Sequence, residues 1–465
     1  DVSDPARRQV LRGGLGALAS SFLAPLSAIG GAAALTGCAT LGMGSAAKIG
    51  FKSVAVSTAD AITVPEGYVA HVIAPWGDPV GIAGQNYAFK DDATNTAAEQ
   101  EAQIGMHHDG IHYYALEGSK RGLLAMNHEY VDHGLLFKDG MANWSAEKVR
   151  KSQAAHGVAI VEVQDKGGKW EVVNPSKYAR RITTNTPMEI SGPAAGHAMM
   201  KTAADTSGRK VLGTLNNCAS GITPWGTYLT SEENFIFYFN GGDKLSDHEK
   251  RWGLRKGGVG YRWHEHDARF DATQNPNEPN RFGWIVEIDP NNPNATPIKR
   301  TAMGRGAHEG ATVAVTKDNR AVVYMGEDAR FEYIYKFVSR DTIKSGGAAA
   351  NATLLDHGTL YVAKFNADGK GQWLALTHGQ GPLTSANGFA DQAEVLIKSR
   401  QASDILGATK MDRPEWIDVD KQGWVYATLT NNSNRGGDKQ PAVDAANPRA
   451  NNTQGNIIRW KEDVD

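Results

Sequence analysis

The chain has 465 residues, enough for one large domain or two or three ordinary ones, which excludes a disulfide-stapled mini-protein. Its 49 basic and 51 acidic residues leave a formal charge of -2, a balance that gives no support to a nucleic-acid or membrane-surface partner. With 52 Gly, 11 Trp and 14 Tyr, the composition fits a turn-rich β protein better than a helical bundle.

The first segment carries paired arginines, Arg7 and Arg8, followed by a charge-free Gly/Ala/Leu-rich run and then small residues before Cys38. That order predicts an export signal over residues 1–45, and the arginine pair points to the twin-arginine route, which moves folded proteins. "LTGC", Leu35 to Cys38, has the form of a lipobox, so acylation of Cys38 is the one route to a membrane anchor; an ordinary signal cleaved nearby is the other reading. In either case Cys38 stands apart from the fold and Cys218 is left as a single thiol: a buried inert residue, a metal ligand or a nucleophile.

From about Gly50 onward, short alternating apolar runs are broken by Gly, Asn and Asp. "YVAHVIAPWG", "HGVAIVEVQDKGGKWEVV", "GWIVEIDPNNPNATPIKRTAMG", "ATVAVTKDNRAVVYMGED", "TLYVAKFNADGKGQWLALT" and "WIDVDKQGWVYATLTNN" each read as two strands around a tight polar turn. Repeated hairpins of irregular length predict an all-β propeller over residues 46–465, with a β-sandwich as the structural alternative. Helical pattern is confined to short insertions, "SAEKVRKSQAAHG" with a Ser cap and "FADQAEVLIKSRQASDILGA". "KDDATNTAAEQEAQ" and "NNSNRGGDKQPAVDAANPRANNTQ" read as surface excursions, the second as a mobile one.

Acids and histidines cluster at the ends of the predicted strands, in "GMHHDGIHYY", "AMNHEYVDHG", "LTSEENF", "RWHEHDARFD", "RGAHEGATV", "YMGEDARFEY" and "DRPEWIDVD". One such pair in a turn is ordinarily a solvated hydrogen-bonding device. Seven together, several beside Gly or Trp in apolar surroundings, need cations, because unpaired buried carboxylates cost several kcal/mol each. Oxygen donors suit calcium, whereas an added thiolate favours a softer ion such as iron or zinc. In "DRPEW", Arg413 offers a planar fork for phosphate oxygens and Glu415 points to the same face of an extended segment; a salt bridge at a strand start is the plainer reading. The chain has no phosphate loop, GxSxG elbow, HExxH helix or paired CxxC, which removes the commonest hydrolase and nucleotide-binding classes.

The twin-arginine signal with "NNCASGITPWGTYLTSEENF", "GYRWHEHDARFD", "GRGAHEGATV", "YMGEDARFEYIYKF" and "DRPEWIDVD", in this order, resembles the PhoX family of bacterial alkaline phosphatases over nearly all of the chain after the signal. The resemblance implies a propeller, six-bladed in the family, whose channel holds calcium and iron and which hydrolyses phosphate monoesters outside the cytoplasm. Carried over by position, it implies Cys218 as an iron ligand, Glu233, Glu309 and Glu415 as further metal ligands, and Arg413 as the contact to the substrate phosphate. Glu265 and Glu327 compete with Glu309 for its role, while Asp109, His128 and Glu129 match family-like motifs without an assigned role. The family runs on beyond this C-terminus, so the resemblance also implies an open ring here.

The expectation is therefore an exported, calcium- and iron-dependent phosphomonoesterase, periplasmic or secreted, that meets the twin-arginine machinery and no nucleic acid. A calcium-dependent propeller lactonase or esterase, or a non-catalytic binding propeller stabilised by calcium, are the rivals.

Overall fold

Residues 50–463 are described by the computed structural model; the export-signal and Cys38 readings fall outside them. The chain divides into a segment ending at Val72 and a unit that begins at Ile73. Within the first, Lys52 pairs with Glu66 at 2.9 Å and the Phe51 and Tyr68 rings meet edge to face.

The second unit is built from antiparallel hairpins in four sheets. β1 (His108–Glu117), β2 (Arg121–His128), β3 (Gly157–Asp165), β4 (Trp170–Val172) and β5 (Arg180–Ile182) make the first. β6 (Pro187–Ser191), β7 (Lys210–Leu212), β8 (Asn217–Ile222), β9 (Tyr228–Glu232), β10 (Ile285–Ile288) and β11 (Ile298–Arg300) make the second, in the order β7-β6-β11-β10-β9-β8. β12 (Thr312–Val315), β13 (Arg320–Gly326), β14 (Ile334–Thr342), β15 (Gly358–Phe365) and β16 (Gly371–Ala375) follow as a meander. β17 (Pro414–Val419), β18 (Trp424–Leu429) and β19 (Asn456–Lys461) form the last.

Strand alternation gives the first three sheets two apolar faces, each entering a different core, while the fourth buries one face. Leu123 and Ile160 of the first sheet pack with Tyr228 and Val286 of the second. The neighbouring residues Leu229 and Ile285 point the other way, into a core with Val323, Tyr335 and Leu360 of the third sheet. Val322, Tyr324 and Ile334 then meet Ile417, Val425 and Ala427 of the fourth. Sheets stacked face to face in chain order, with β1 against β8, β8 against β12, and β12 and β13 against β17, are the propeller-like arrangement that the hairpin pattern predicts.

Five of the six expected hairpins form: β3–β4, β10–β11, β12–β13, β15–β16 and β17–β18. The β12–β13 turn works because Asn319 takes a φ of 64°, a left-handed conformation that Asn tolerates. "YVAHVIAPWG" is no hairpin. Pro75 lacks a ladder donor, Tyr68, Val69 and Val72 are exposed, and Gly77 N–H bonds the Ile104 carbonyl in a loop.

Both helical insertions are present. Ser145 accepts from the Lys148 N–H at the start of Ala146–Ala154, and the later run divides at Lys398 into Gln392–Ile397 and Ser399–Leu406. The excursion after β18, expected to be mobile, is tied down instead. Asp412, fully buried, accepts from Arg435 Nε and Asn432 Nδ2 at 2.8 Å each, while its own N–H donates to Asn447 Oδ1 at 2.9 Å. A loop rich in Asn and Gly thus closes around a charge-paired core that its composition conceals.

Candidate metal and phosphate site

The innermost strand of each sheet is its first or, in the second sheet, the edge strand β8, and each of these carries or adjoins an acid or thiol. Asp109 lies on β1, Cys218 on β8, Glu309 three residues before β12, and Glu415 on β17. The return strands deliver a second set just past their ends: Glu129 after β2, Glu233 after β9 and Asp328 after β13. One hairpin design, used sheet after sheet, brings distant sequence positions to a common centre.

The hairpins are irregular where the site needs them to be. Pairing slips between His108 and Ile111, between Asn217 and Ser220, and between Pro414 and Ile417, so Asp109, Cys218 and Glu415 all sit in bulges. A bulge adds an unpaired residue and re-aims its side chain. Asn127, fully buried on β2, holds the second bulge by donating to the Cys218 and Ala219 carbonyls while its Oδ1 accepts from Tyr228 and Thr230 hydroxyls. The sheets also approach closely here. A Cβ on Gly326 would lie 2.2 Å from the Glu415 carbonyl oxygen, and one on Gly221 would lie 1.7 Å from that of Ala311, so both positions require glycine.

The Cys218 thiol donates to Glu309 Oε1 at 2.9 Å. Donor atoms of Cys218, Glu233 and Glu309 lie within 4.8 Å of one another, as do those of Asp109, Glu129 and Cys218, so the thiol joins two groups. Burial is the first cause of every shift in proton affinity at the site. It pushes the Cys218 thiol far up, with Glu309 and Glu233 next in effect. Burial and Glu309 hold Glu233 well above the usual carboxylate range, burial with Asp109 raises Glu129 to about 7, and Glu309 is raised by burial and Asp328. Asp109, Asp328 and Glu415 are raised as well.

Arg413 is the basic side chain acting on Glu233, Asp328 and Glu415, and it is already bound to Asp328 Oδ2 at 2.8 Å. Its backbone is left-handed, with φ 54°, in a non-glycine residue that directly follows the anchored Asp412. Strain of this kind persists where surrounding structure enforces it. Beside Arg413, Glu233 and Asp328 opens a cavity of about 530 Å³, also walled by Phe237, Trp252 and Arg400.

Cys218, Glu233 and Glu309 are brought together, and Glu415 lies close enough for its charge to raise Glu309. Glu265 is exposed and bound to Arg262, and Glu327 is engaged by Arg400 and the Ala307 N–H, so neither stands with the thiol. His128 is buried away from the donor groups, its ring edge to face with His108. Asp109 and Glu129 belong to the cluster although no role was assigned to them from sequence, and Asp328 was passed over as Arg413's partner. Their shared signal is position: each lies at the inner end of a hairpin strand.

An all-β, propeller-like scaffold with carboxylates and an arginine around one cavity defines a phosphate-ester hydrolase class, and two comparisons fix which one. The family model for alkaline phosphatase PhoX matches residues 49–465, and the chain belongs to that family. It is also similar to the solved structure of Pseudomonas fluorescens PhoX in complex with vanadate, a transition state analogue. The identity is 51% and the TM-score 0.86, over 89% of this chain and 73% of that one. No curated protein matches the chain. The protein is thus a phosphatase acting on phosphate esters, and the lactonase and binding-module readings give way.

Proposed function

We propose that the protein is an extracytoplasmic alkaline phosphatase for phosphate monoesters whose carboxylate and thiol groups hold calcium and iron. The observation that carries this reading is a single thiol 2.9 Å from Glu309 inside a set of buried and half-buried acids whose proton affinities are all raised. Such a set is stable as anions only around cations. The donor chemistry fits: hard oxygens from Asp109, Glu129, Glu233, Glu309 and Glu415 suit calcium, and Cys218 adds the soft ligand that suits iron. When bound, these metals supply Lewis-acid neutralisation of the phosphate oxygens and of the leaving group.

The chain's own residues supply binding and orientation. Arg413 presents its fork to two phosphate oxygens, and Asp328 fixes the direction of that fork through its 2.8 Å ion pair. Asp412, anchored by Arg435 and Asn432, holds the strained backbone that aims Arg413 at the cavity. Positioning and charge stabilisation are the larger part of phosphoryl-transfer catalysis, so this division of labour suffices. The Arg7-Arg8 pair supports twin-arginine export to the periplasm or beyond, a route that lets metals be loaded before transport. Acylation at Cys38 would add a lipid anchor.

The test is hydrolysis of p-nitrophenyl phosphate at alkaline pH with calcium and iron supplied, alongside metal analysis of the purified protein. Parent turnover inhibited by vanadate, with iron lost in Cys218→Ala and retained in a poorly active Arg413→Ala, is the expected result. Full iron content in Cys218→Ala would remove the thiol from the metal site, and undiminished turnover in Arg413→Ala would remove the arginine from phosphate binding.

A further inference from the structure

The cavity beside Arg413 is larger than a phosphate group requires: about 530 Å³ falls within the size range of sites that enclose a whole small molecule. Three arginines line it, Arg255, Arg400 and Arg413. Two are committed. Arg413 is bound to Asp328 at 2.8 Å, and buried Arg400 donates to Glu327 at 2.7 Å with Glu332 at 3.6 Å. The guanidinium of Arg255 is exposed and makes no hydrogen bond or ion pair among the described residues.

The backbone that carries Arg255 is nevertheless fixed. Its carbonyl accepts from Gly241 N–H at 2.8 Å and from Gly258 N–H at 3.1 Å, and the adjacent Lys256 bridges to Gly241. The part of the wall formed by Phe235, Ile236, Phe237, Trp252, Gly253 and Arg255 contains no carboxylate. Trp252 has two guanidinium groups against its ring, Arg305 at 4.2 Å and Arg400 at 4.4 Å, which fix it as part of the apolar surface. An apolar wall ending in an uncommitted arginine suits a leaving group with a carbon skeleton and a second anion.

We infer that Arg255 is a specificity-determining residue which binds a second anionic group, phosphate or carboxylate, on the leaving-group side of the phosphomonoester. The inference rests on Arg413 gripping the reacting phosphate in the same cavity. Phe237 and Ile236 cover the carbon chain between the two anions, and an arginine contributes a two-pronged, charge-assisted contact to the second one.

Matched substrates test this: glycerol 3-phosphate against 3-phosphoglycerate for the carboxylate, and glucose 6-phosphate against glucose 1,6-bisphosphate for the phosphate. The metal-replete wild-type enzyme should favour the doubly anionic member of at least one pair, and the pair affected identifies the anion. Arg255→Ala should lower kcat/KM for that member about 10-fold, mainly through KM, while its partner changes less than about 2-fold and Arg255→Lys recovers part of the loss. Added salt should narrow the wild-type preference, because the guanidinium is exposed. No wild-type preference in either pair, or equal losses for both members in Arg255→Ala, overturns the inference while leaving the phosphate site intact. Undiminished glycerol 3-phosphate turnover in Arg413→Ala instead strikes the site reading, and the inference falls with it.

Discussion

Glu232 and Glu233 are chain neighbours, both almost fully buried, yet they sit in opposite electrostatic worlds. Glu232 faces Lys299 Nζ at 2.7 Å and accepts from the Gly283 and Trp284 N–H groups. Glu233 faces Glu309, Asp328 and Glu129, with Arg413 as the opposing charge. A milder form of the contrast recurs in the third sheet, where Glu327 is bound by buried Arg400, whereas Asp328 lines the cavity and is paired there with Arg413. A buried acid with a built-in cation holds the fold; a buried acid whose neighbours are acids is waiting for a ligand.

Substitution at the two glutamates breaks this comparison most directly. Glu233→Gln should cost at least about 10³-fold in kcat/KM for p-nitrophenyl phosphate, on the scale of losing a key transition-state contact, while the metal-free protein keeps or slightly gains unfolding free energy. Glu232→Gln should do the reverse, lowering unfolding free energy in urea by about 3 kcal/mol because Lys299 is left buried without its anion. A stability loss from Glu233→Gln as large as that from Glu232→Gln would abolish the distinction.

Metal removal sharpens it. Chelation should lower the melting temperature of the wild-type protein, since a ligand that binds only the folded state stabilises it, and should leave a Cys218→Ala, Glu233→Gln double variant nearly unmoved. Equal responses from the two proteins would place the stabilising metal elsewhere.

The smallest effect concerns histidines outside the site. Burial holds His156 down to about 3, and His133 and His248 to about 4, so the folded state keeps them neutral where the unfolded chain protonates near 6.5. The unfolded state binds more protons in that window, so stability should fall as pH drops from about 6.5 towards 4, by up to about 1.4 kcal/mol per pH unit for each group. Urea midpoints at pH 7, 6 and 5 measure the slope, and His156→Phe should flatten it; an unchanged slope would show that His156 contributes nothing.

The fold was legible wherever alternation and turn chemistry agreed, as in "ATVAVTKDNRAVVYMGED", where β12, the Asn319 turn and β13 appear in register. It was not legible in "YVAHVIAPWG", whose apolar residues mimic a strand but meet no sheet. The site was half legible. Cys218, Glu233, Glu309 and Glu415 were named through family likeness, but Glu265, Glu309 and Glu327 have similar flanks, and only three-dimensional position separates a surface acid, a site acid and a structural one. Asp109 and Glu415 owe their aim to bulges, and a slip of pairing leaves no mark in an alternating pattern. The cage around Asp412 was hidden for another reason: its Asn and Arg residues look like solvent-loving loop composition until their partners are known.

That cage also bears on engineering. Residues 431–454 are what a designer seeking a more compact, heat-resistant catalyst would trim first, since long polar connections ordinarily cost entropy and contribute little. Here the excursion works as a clamp whose far end grips the residue before Arg413. Shortening it would cut the molecule's weight and slacken its hold on phosphate in the same stroke, so any streamlined version must first supply another brace for Asp412.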